Sequence, residues 1–294
     1  MSARALSSSS FASDVLSLTK PRLSGLVLAT TAGGMWLAPG ELTVPRILVT
    51  LLATAGLVGS ANALNCYWER ESDRFMARTR NRPLPSGRME PGVALGFGLV
   101  LAAVCLPALA VGANPLTAGL GLVALLSYVL AYTPLKARTS AAMLVGAVPG
   151  ALPPLMGWTA VTGQIDAGGY VLFAILFLWQ IPHFIAIALF RQDEYAAAGL
   201  KSVPLERGED SSRLQIVLYL VALVPMTLLP FQLRIAGGWY LAAAALLGLG
   251  FLALGAVGLF RQLGRGWARQ TFLFSLVYLA GLFAALILDS GVRV

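Results

Sequence analysis

Long apolar stretches follow one another along almost the whole chain and are separated by short polar connections. A helix needs roughly 20 apolar residues to cross the hydrocarbon core of a bilayer, and the stretches approach that length. Some contain glycine or proline, which membrane helices tolerate because neighbouring helices satisfy the freed backbone groups. The pattern predicts an all-α integral membrane bundle of about nine transmembrane helices. The stretches are Leu23–Pro39, Ile47–Tyr67, Val93–Val111, Leu116–Tyr132, Ala141–Val161, Tyr170–Phe190, Leu214–Phe231, Trp239–Phe260 and Thr271–Leu288.

The composition supports a bilayer as the solvent of this chain. Of 294 residues, 57% are hydrophobic and 12% are charged, which lies outside the range of a soluble globular domain. Residues 1–22 begin with a serine-rich segment and lack the apolar core of a signal peptide, so we expect a disordered tail and interfacial lead-in there. We expect residues 23–294 to form a single transmembrane domain.

Positively charged residues are concentrated on alternate connections. The formal net charge of +8 is compatible with nucleic-acid binding, but 18 of the 21 Lys and Arg fall in the N-terminal tail and in the second, fourth, sixth and eighth loops. Membrane proteins retain positive residues on the cytoplasmic side. The sequence therefore predicts a multi-pass protein of the cell inner (cytoplasmic) membrane, with a cytoplasmic N-terminus, the lipid bilayer as a partner and no nucleic acid.

Acidic residues collect in two of these loops. Nine of the 13 Asp and Glu lie in the second and sixth loops, on the same predicted face. Asn65, Glu69 and Asp73 are spaced by four, so their side chains share one face if the second helix continues past the bilayer. One amide and two carboxylates suit Mg²⁺, which keeps waters and accepts phosphate oxygens as its remaining ligands. These three residues are the predicted metal ligands.

Basic residues that can clamp a phosphate lie in the second and fourth loops. They are Arg78 and Arg82 in the second loop and Lys136 and Arg138 in the fourth. The planar fork of an arginine matches the geometry of phosphate oxygens. Acidic ligands beside phosphate clamps indicate a metal-bound polyphosphate. The alternative is a solvated, salt-bridged helix end whose arginines only set the topology.

The residues of the second loop resemble a known motif. The pattern Asn65-x-x-x-Glu69-x-x-x-Asp73-x-x-Met76-x-Arg78-Thr79-x-x-Arg82-Pro83-Leu84 resembles the first aspartate-rich motif of the UbiA superfamily of membrane prenyltransferases. The likeness extends along most of the chain and is greatest to the branch that farnesylates heme. Segments similar to further signatures of that branch are Leu18-Thr-Lys-Pro-Arg22, Tyr132-Thr-Pro-Leu-Lys136, Gly150-Ala-Leu-Pro-Pro-Leu-Met-Gly-Trp158 and Trp179-Gln-Ile-Pro-His-Phe184.

The resemblance implies a fold, an activity and a set of partners. A UbiA-type bundle of nine helices would transfer a farnesyl group from farnesyl diphosphate to a vinyl group of heme B, with Mg²⁺ as cofactor and heme O as product. Lys136 would join the three predicted metal ligands as a catalytic residue. A downstream heme-modifying enzyme would be a further partner.

Two positions depart from the superfamily pattern. The middle acid of the first motif is commonly Asp and here is Glu69, whose carboxylate reaches one methylene further. In the sixth loop, Asp193 and Glu194 are candidate ligands of a second metal, but a second Asp at a spacing of four is missing. The sequence therefore leaves the second metal site open.

Three aromatic residues and the only histidine are candidates for substrate contacts. The faces of Tyr132, Trp158 and Trp179 could stabilise an allyl cation, although core packing is the alternative for each. His183 follows Pro182 within the sixth apolar stretch, where a polar side chain is costly. We expect it to contact heme, because imidazole is a common ligand of heme iron. The alternative is a histidine that bonds a carbonyl freed by Pro182.

Two other functions fit part of the pattern. A related prenyltransferase with another aromatic or tetrapyrrole acceptor would carry the same acidic and basic motif. A transporter would also have many apolar spans, but its polar residues should line a pathway instead of concentrating in two loops on one face. The distribution of acids favours the enzyme.

Overall fold

The computed structural model describes residues 11–76 and 79–290, and this part of the chain contains helices and no strand. A short 3₁₀ helix, Ser72–Phe75, follows α3. The α-helices are α1 Phe11–Leu18, α2 Pro21–Leu37, α3 Val44–Glu69, α4 Pro91–Gly112, α5 Pro115–Leu135, α6 Ala142–Thr162, α7 Ala167–Phe190, α8 Gln192–Ala197, α9 Val203–Gln232, α10 Gly238–Phe260 and α11 Arg265–Asp289.

The described helices confirm the predicted all-α membrane bundle. Eight of them, α3 to α7 and α9 to α11, are long and apolar enough to cross a membrane. The first predicted span corresponds to α2, which contributes a shorter apolar segment, Leu23–Leu37. The whole helix α2 has 17 residues, which is the lower end of the range of roughly 17–25 residues that spans a bilayer.

Helix starts follow from local sequence. Proline occupies one of the first two positions of α2, α3, α4, α5 and α9. An N–H at these positions has no partner within the helix, so proline, which lacks the N–H, costs no hydrogen bond there. At the start of α5 the side chain of Asn114 accepts a hydrogen bond from the backbone N–H of Thr117. At the start of α7 Asp166 accepts from Gly168 and Gly169. Such caps satisfy donors that the first turn leaves free.

The expected disorder of the N-terminal lead-in is wrong for residues 11–18, which form α1. Leu18 is buried against α3 and the second loop. Asp14 is also buried, and it pairs with Arg88, whose Nη2 lies 3.1 Å from Asp14 Oδ1. Apolar burial and a long-range ion pair therefore order this segment, whereas residues 1–10 lie outside the described part of the chain.

Glycines allow α2 and α6 to pack backbone against backbone. A Cβ added at Gly157 of α6 would meet the carbonyl oxygen of Thr31, and a Cβ added at Gly34 of α2 would meet that of Pro154. Helices α6 and α7 have the largest buried share among the spans. Helix α2 contacts α3, α6 and α11, so it packs against helices from the early, middle and last parts of the chain.

We predict that Gly157→Ala destabilises the protein because the new methyl group meets the α2 backbone. Overpacking of this kind costs roughly 1–3 kcal/mol, which should appear as a lower melting temperature in detergent. The matched control is Gly96→Ala in α4, where a Cβ meets no atom within 4 Å. The control should melt at the same temperature or slightly higher, because alanine favours the helix. Equal melting of both variants would contradict the close α2–α6 contact.

Candidate active site

The three predicted metal ligands lie together at one end of α3, although not on one unbroken helix. The assumed continuation of the helix is wrong: α3 ends at Glu69, and Asp73 belongs to the 3₁₀ helix that follows. The change in helix type still turns the carboxylate inward. Asn65, Glu69 and Asp73 are 2%, 7% and 4% exposed.

Asn65 is held from two sides. Its Oδ1 accepts a 2.8 Å hydrogen bond from Lys20 Nζ, and its Nδ2 donates to the hydroxyl of Thr133 over 3.1 Å. Thr133 follows a π-helical section, Ser127–Tyr132, within α5. Wider turns of this type often mark functional sites, because they re-aim the side chains that follow. Here the section brings the end of α5 against the end of α3.

Both carboxylates are paired with cations. The ammonium of Lys136 contacts Glu69 Oε1 as an ion pair outside hydrogen-bond geometry. Arg82 Nη1 donates to Asp73 Oδ2 over 2.8 Å. Buried carboxylates require such partners, because an unpaired charge in a medium of low dielectric constant is strongly unfavourable. The predicted acids and two of the predicted phosphate clamps therefore form one cluster.

Lys20 belongs to this cluster, although its spacing in the sequence did not predict a role. The residue lies between α1 and α2 in a left-handed conformation, with φ 48°. Burial lowers the pKa of its ammonium group. Its position in the segment from Leu18 to Arg22 was the available indication, but no spacing relates that segment to Asn65.

A largely apolar cavity of about 610 Å³ opens beside the cluster. Its walls come from α2, α3, α5, α6, α7 and the segment that joins α8 to α9. Lys136 lines its polar end, as does Tyr132, whose ring lies 5.4 Å from that of Tyr128. The volume is typical of a small-molecule site. The apolar walls and the nearby ammonium of Lys136 fit a ligand with an apolar body and an anionic head.

His183 lines the same cavity within α7. Its Nδ1 lies 2.7 Å from the hydroxyl of Ser275 on α11. The alternative of a bond to the carbonyl freed by Pro182 is therefore wrong, because the partner lies on another helix. Trp179 stacks on the imidazole at 4.7 Å between ring centroids and donates its indole N–H to the carbonyl of Ser275.

Several predicted residues lie away from the cavity. Trp158 is buried near the far end of α6, where its ring packs on the first residues of α7. Trp179 lies behind His183 and is not part of the cavity wall. Arg138 is exposed beyond the end of α5. Arg78 lies outside the described residues.

The candidate ligands of a second metal lie at the protein surface. Asp193 Oδ2 accepts from Arg265 over 2.6 Å, and this pairing lowers the pKa of the Asp193 carboxyl. Glu194 pairs with Arg191 over 3.1 Å. Within the described ranges, no group of three or more His, Cys, Asp and Glu side chains could hold a metal ion. The second site stays a prediction.

Comparison with known proteins identifies relatives along the full length. A family model described as the UbiA prenyltransferase family matches residues 27–286. A protein of Myxococcus xanthus (strain DK1622) named protoheme IX farnesyltransferase is 78% identical, over 98% of this chain and 98% of its own. A protein of Anaeromyxobacter sp. (strain Fw109-5) with the same name is 54% identical over 98% of each chain.

Solved structures share the fold at low sequence identity. One described as digeranylgeranylglyceryl phosphate synthase in membranes has a TM-score of 0.83 and 20% identity, over 94% of this chain and 97% of its own. A UbiA homolog from Archaeoglobus fulgidus, solved with GPP and Mg²⁺, has a TM-score of 0.65 and 15% identity, over 93% and 99% of the two chains.

We predict that Lys136→Met lowers stability because it leaves the buried Glu69 carboxylate without its cation. The expected loss is roughly 3–5 kcal/mol, which should appear as a lower melting temperature in detergent. Arg265→Met is the matched control, since it breaks an exposed pair with Asp193 and should leave the melting temperature nearly unchanged. A larger effect in the control would contradict the assignment of the buried pair.

Proposed function

The chain belongs to the UbiA prenyltransferase family, and from this premise we propose that it is a protoheme IX farnesyltransferase. It transfers a farnesyl group from farnesyl diphosphate to a vinyl group of heme B and forms heme O. The observation that carries this function is the 78% identity over nearly the whole chain to a protein of that name. An enzyme of this family is a prenyltransferase, so the transporter alternative has no support.

The cations of the site would receive the diphosphate. Lys20, Lys136 and Arg82 each bind a buried oxygen now, and all three can turn to phosphate oxygens when the substrate enters. Their charge then neutralises the leaving group as the bond from carbon to oxygen breaks. Arg78 and Arg138 are further proposed clamps. Because Lys20, Lys136 and Arg82 would already contact the bound diphosphate, little reorganisation would be needed at the moment of reaction.

The oxygen ligands of the cluster fit Mg²⁺. An amide and two carboxylates form the set of hard oxygen donors that this ion takes, and the turn of the cations towards diphosphate would free Asn65, Glu69 and Asp73 for it. When bound, Mg²⁺ would withdraw negative charge from the departing diphosphate. Asp193 and Glu194, on the helix that also gives Tyr195 to the cavity wall, are proposed for a second ion.

The cavity would hold both the prenyl tail and the porphyrin. In the reaction the C–O bond of the diphosphate breaks and a vinyl carbon of heme bonds to the farnesyl carbon. A water molecule then adds its oxygen to the resulting cation and releases a proton. The apolar walls exclude other water from the allyl cation, and Tyr132 presents its ring at the polar end. His183, deeper in α7, would contact the heme.

The active end of the bundle would face the cytoplasm. The multi-pass membrane character is shared with the family, and the ends of α3, α5 and α7 meet the start of α2 at one side of the bundle. The concentration of Lys and Arg on this side supports a cytoplasmic orientation in the inner membrane. We propose residues 23–294 as one transmembrane prenyltransferase domain.

The activity is tested directly with purified protein. Incubation with heme B, farnesyl diphosphate and Mg²⁺ should give heme O, which chromatography and mass spectrometry identify by the added hydroxyethylfarnesyl group. Omission of farnesyl diphosphate is the control. Conversion of another aromatic or tetrapyrrole acceptor, with heme B unchanged, would contradict the proposal and favour a related prenyltransferase.

The metal ligands are tested by charge and reach. Asp73→Asn should reduce turnover roughly a hundredfold, because it removes a formal charge from the metal site and from Arg82. Glu69→Asp keeps the charge and changes only its reach, so much of the activity should remain. Steady-state rates over a Mg²⁺ titration give both values. Full activity of Asp73→Asn would refute its role as a ligand.

Topology is tested with single cysteines at exposed positions. Arg80→Cys and Arg207→Cys should react with a membrane-impermeant thiol reagent only after the cells are opened. Gln164→Cys, in the loop between α6 and α7, should react in intact cells. The native Cys66 and Cys105 are buried, so they give a low background. The reverse labelling pattern would refute the cytoplasmic orientation.

A further inference from the structure

A buried serine of α11 fixes the protonation of the cavity histidine. The hydroxyl of Ser275 lies 2.7 Å from His183 Nδ1 and 2.6 Å from the carbonyl oxygen of Phe272. Two oxygens at 2.6 Å need a proton between them, so the hydroxyl donates to the carbonyl. Since a serine carries a single proton, the hydroxyl must accept from His183, and Nδ1 must carry a hydrogen.

This arrangement leaves the lone pair of His183 on Nε2. A neutral imidazole has one donor and one acceptor nitrogen. Nε2 has no hydrogen-bond partner within residues 11–76 and 79–290, and the ring lines the cavity. A neutral imidazole held by a hydrogen bond at one nitrogen is a good metal ligand at the other.

Ser275 also fixes the plane of the ring through a second contact. Its backbone carbonyl accepts a 2.8 Å hydrogen bond from the indole of Trp179, which stacks on His183. Trp179 and His183 are four residues apart and therefore lie on the same face of α7. Ser275 is fully buried, so water does not compete for either bond. Rotation of the imidazole would break the bond to the hydroxyl and disturb the stack.

We propose that Ser275 is a positioning residue that holds His183 with its proton on Nδ1, so that Nε2 binds the iron of a metalloporphyrin. This inference rests on the proposed function, because it takes heme as the acceptor. It explains why the only histidine of the chain is bonded to a hydroxyl instead of to a carboxylate. A neutral partner keeps the site free of a buried charge.

The test compares heme with iron-free protoporphyrin IX. Each is titrated into purified wild type, Ser275→Ala, Ser275→Thr, His183→Ala and the double variant, with the Soret band or porphyrin fluorescence as the readout. Ser275→Ala should weaken heme binding roughly tenfold, the value of one hydrogen bond, and shift the Soret band. Ser275→Thr, which retains a hydroxyl, should restore both. Iron-free porphyrin should bind all five proteins alike.

The double variant separates positioning from packing. If Ser275 acts through His183, adding Ser275→Ala to His183→Ala should weaken heme binding no further. Equal losses for heme and for iron-free porphyrin, or additive losses in the double variant, would overturn the inference. So would an unchanged Soret band in Ser275→Ala while the wild type still forms heme O, which leaves the proposed function intact. A wild type that neither binds nor converts heme would overturn both.

Discussion

The pairing of buried charges at one end of the bundle is the constraint on which the site depends. Three cations and three oxygen-bearing side chains meet where helices from distant parts of the sequence converge. The carboxylates of Glu69 and Asp73 are nearly fully buried and cannot be left unpaired, so their contacts with Lys136 and Arg82 hold the ends of α3 and α5 and the second loop together. The cations of these pairs can exchange their present partners for the oxygens of a polyphosphate. Structural stability and substrate recognition thus draw on the same contacts.

The rest of the bundle provides a stiff frame around an apolar space. The crossing of α2 and α6 relies on Gly34 and Gly157, whose missing side chains bring two backbones together. Nearer the start of α6, a Cβ at Gly146 would meet the ring of Tyr132, and a Cβ at Gly150 would meet the amide of Gln180. Glycines therefore place the polar and aromatic side chains of neighbouring helices against α6, where they border the cavity.

The sequence predicted the helices and the acidic cluster because both depend on local patterns. Apolar length indicates a membrane span, and a spacing of four indicates a shared face. The sequence could not predict the contacts of Lys20 or Ser275, since each meets its partner through packing between elements far apart in the chain. Trp158 was a candidate for contact with the allyl cation, but it lies near the end of α6 and packs on the first residues of α7, away from the cavity. The helix type at Asp73 also followed from tertiary contacts rather than from spacing.

The order of synthesis gives the Lys20 contact a further consequence. Lys20 leaves the ribosome 45 residues before Asn65, the partner of its ammonium group, and the carboxylate of Glu69 appears well before Lys136. The charged cluster therefore stays incomplete until α5 has been made and inserted. Early helices must enter the bilayer with charges still exposed to water at their ends. Completion of the cluster would then link α2, α3 and α5 while the second half of the chain is still to be made.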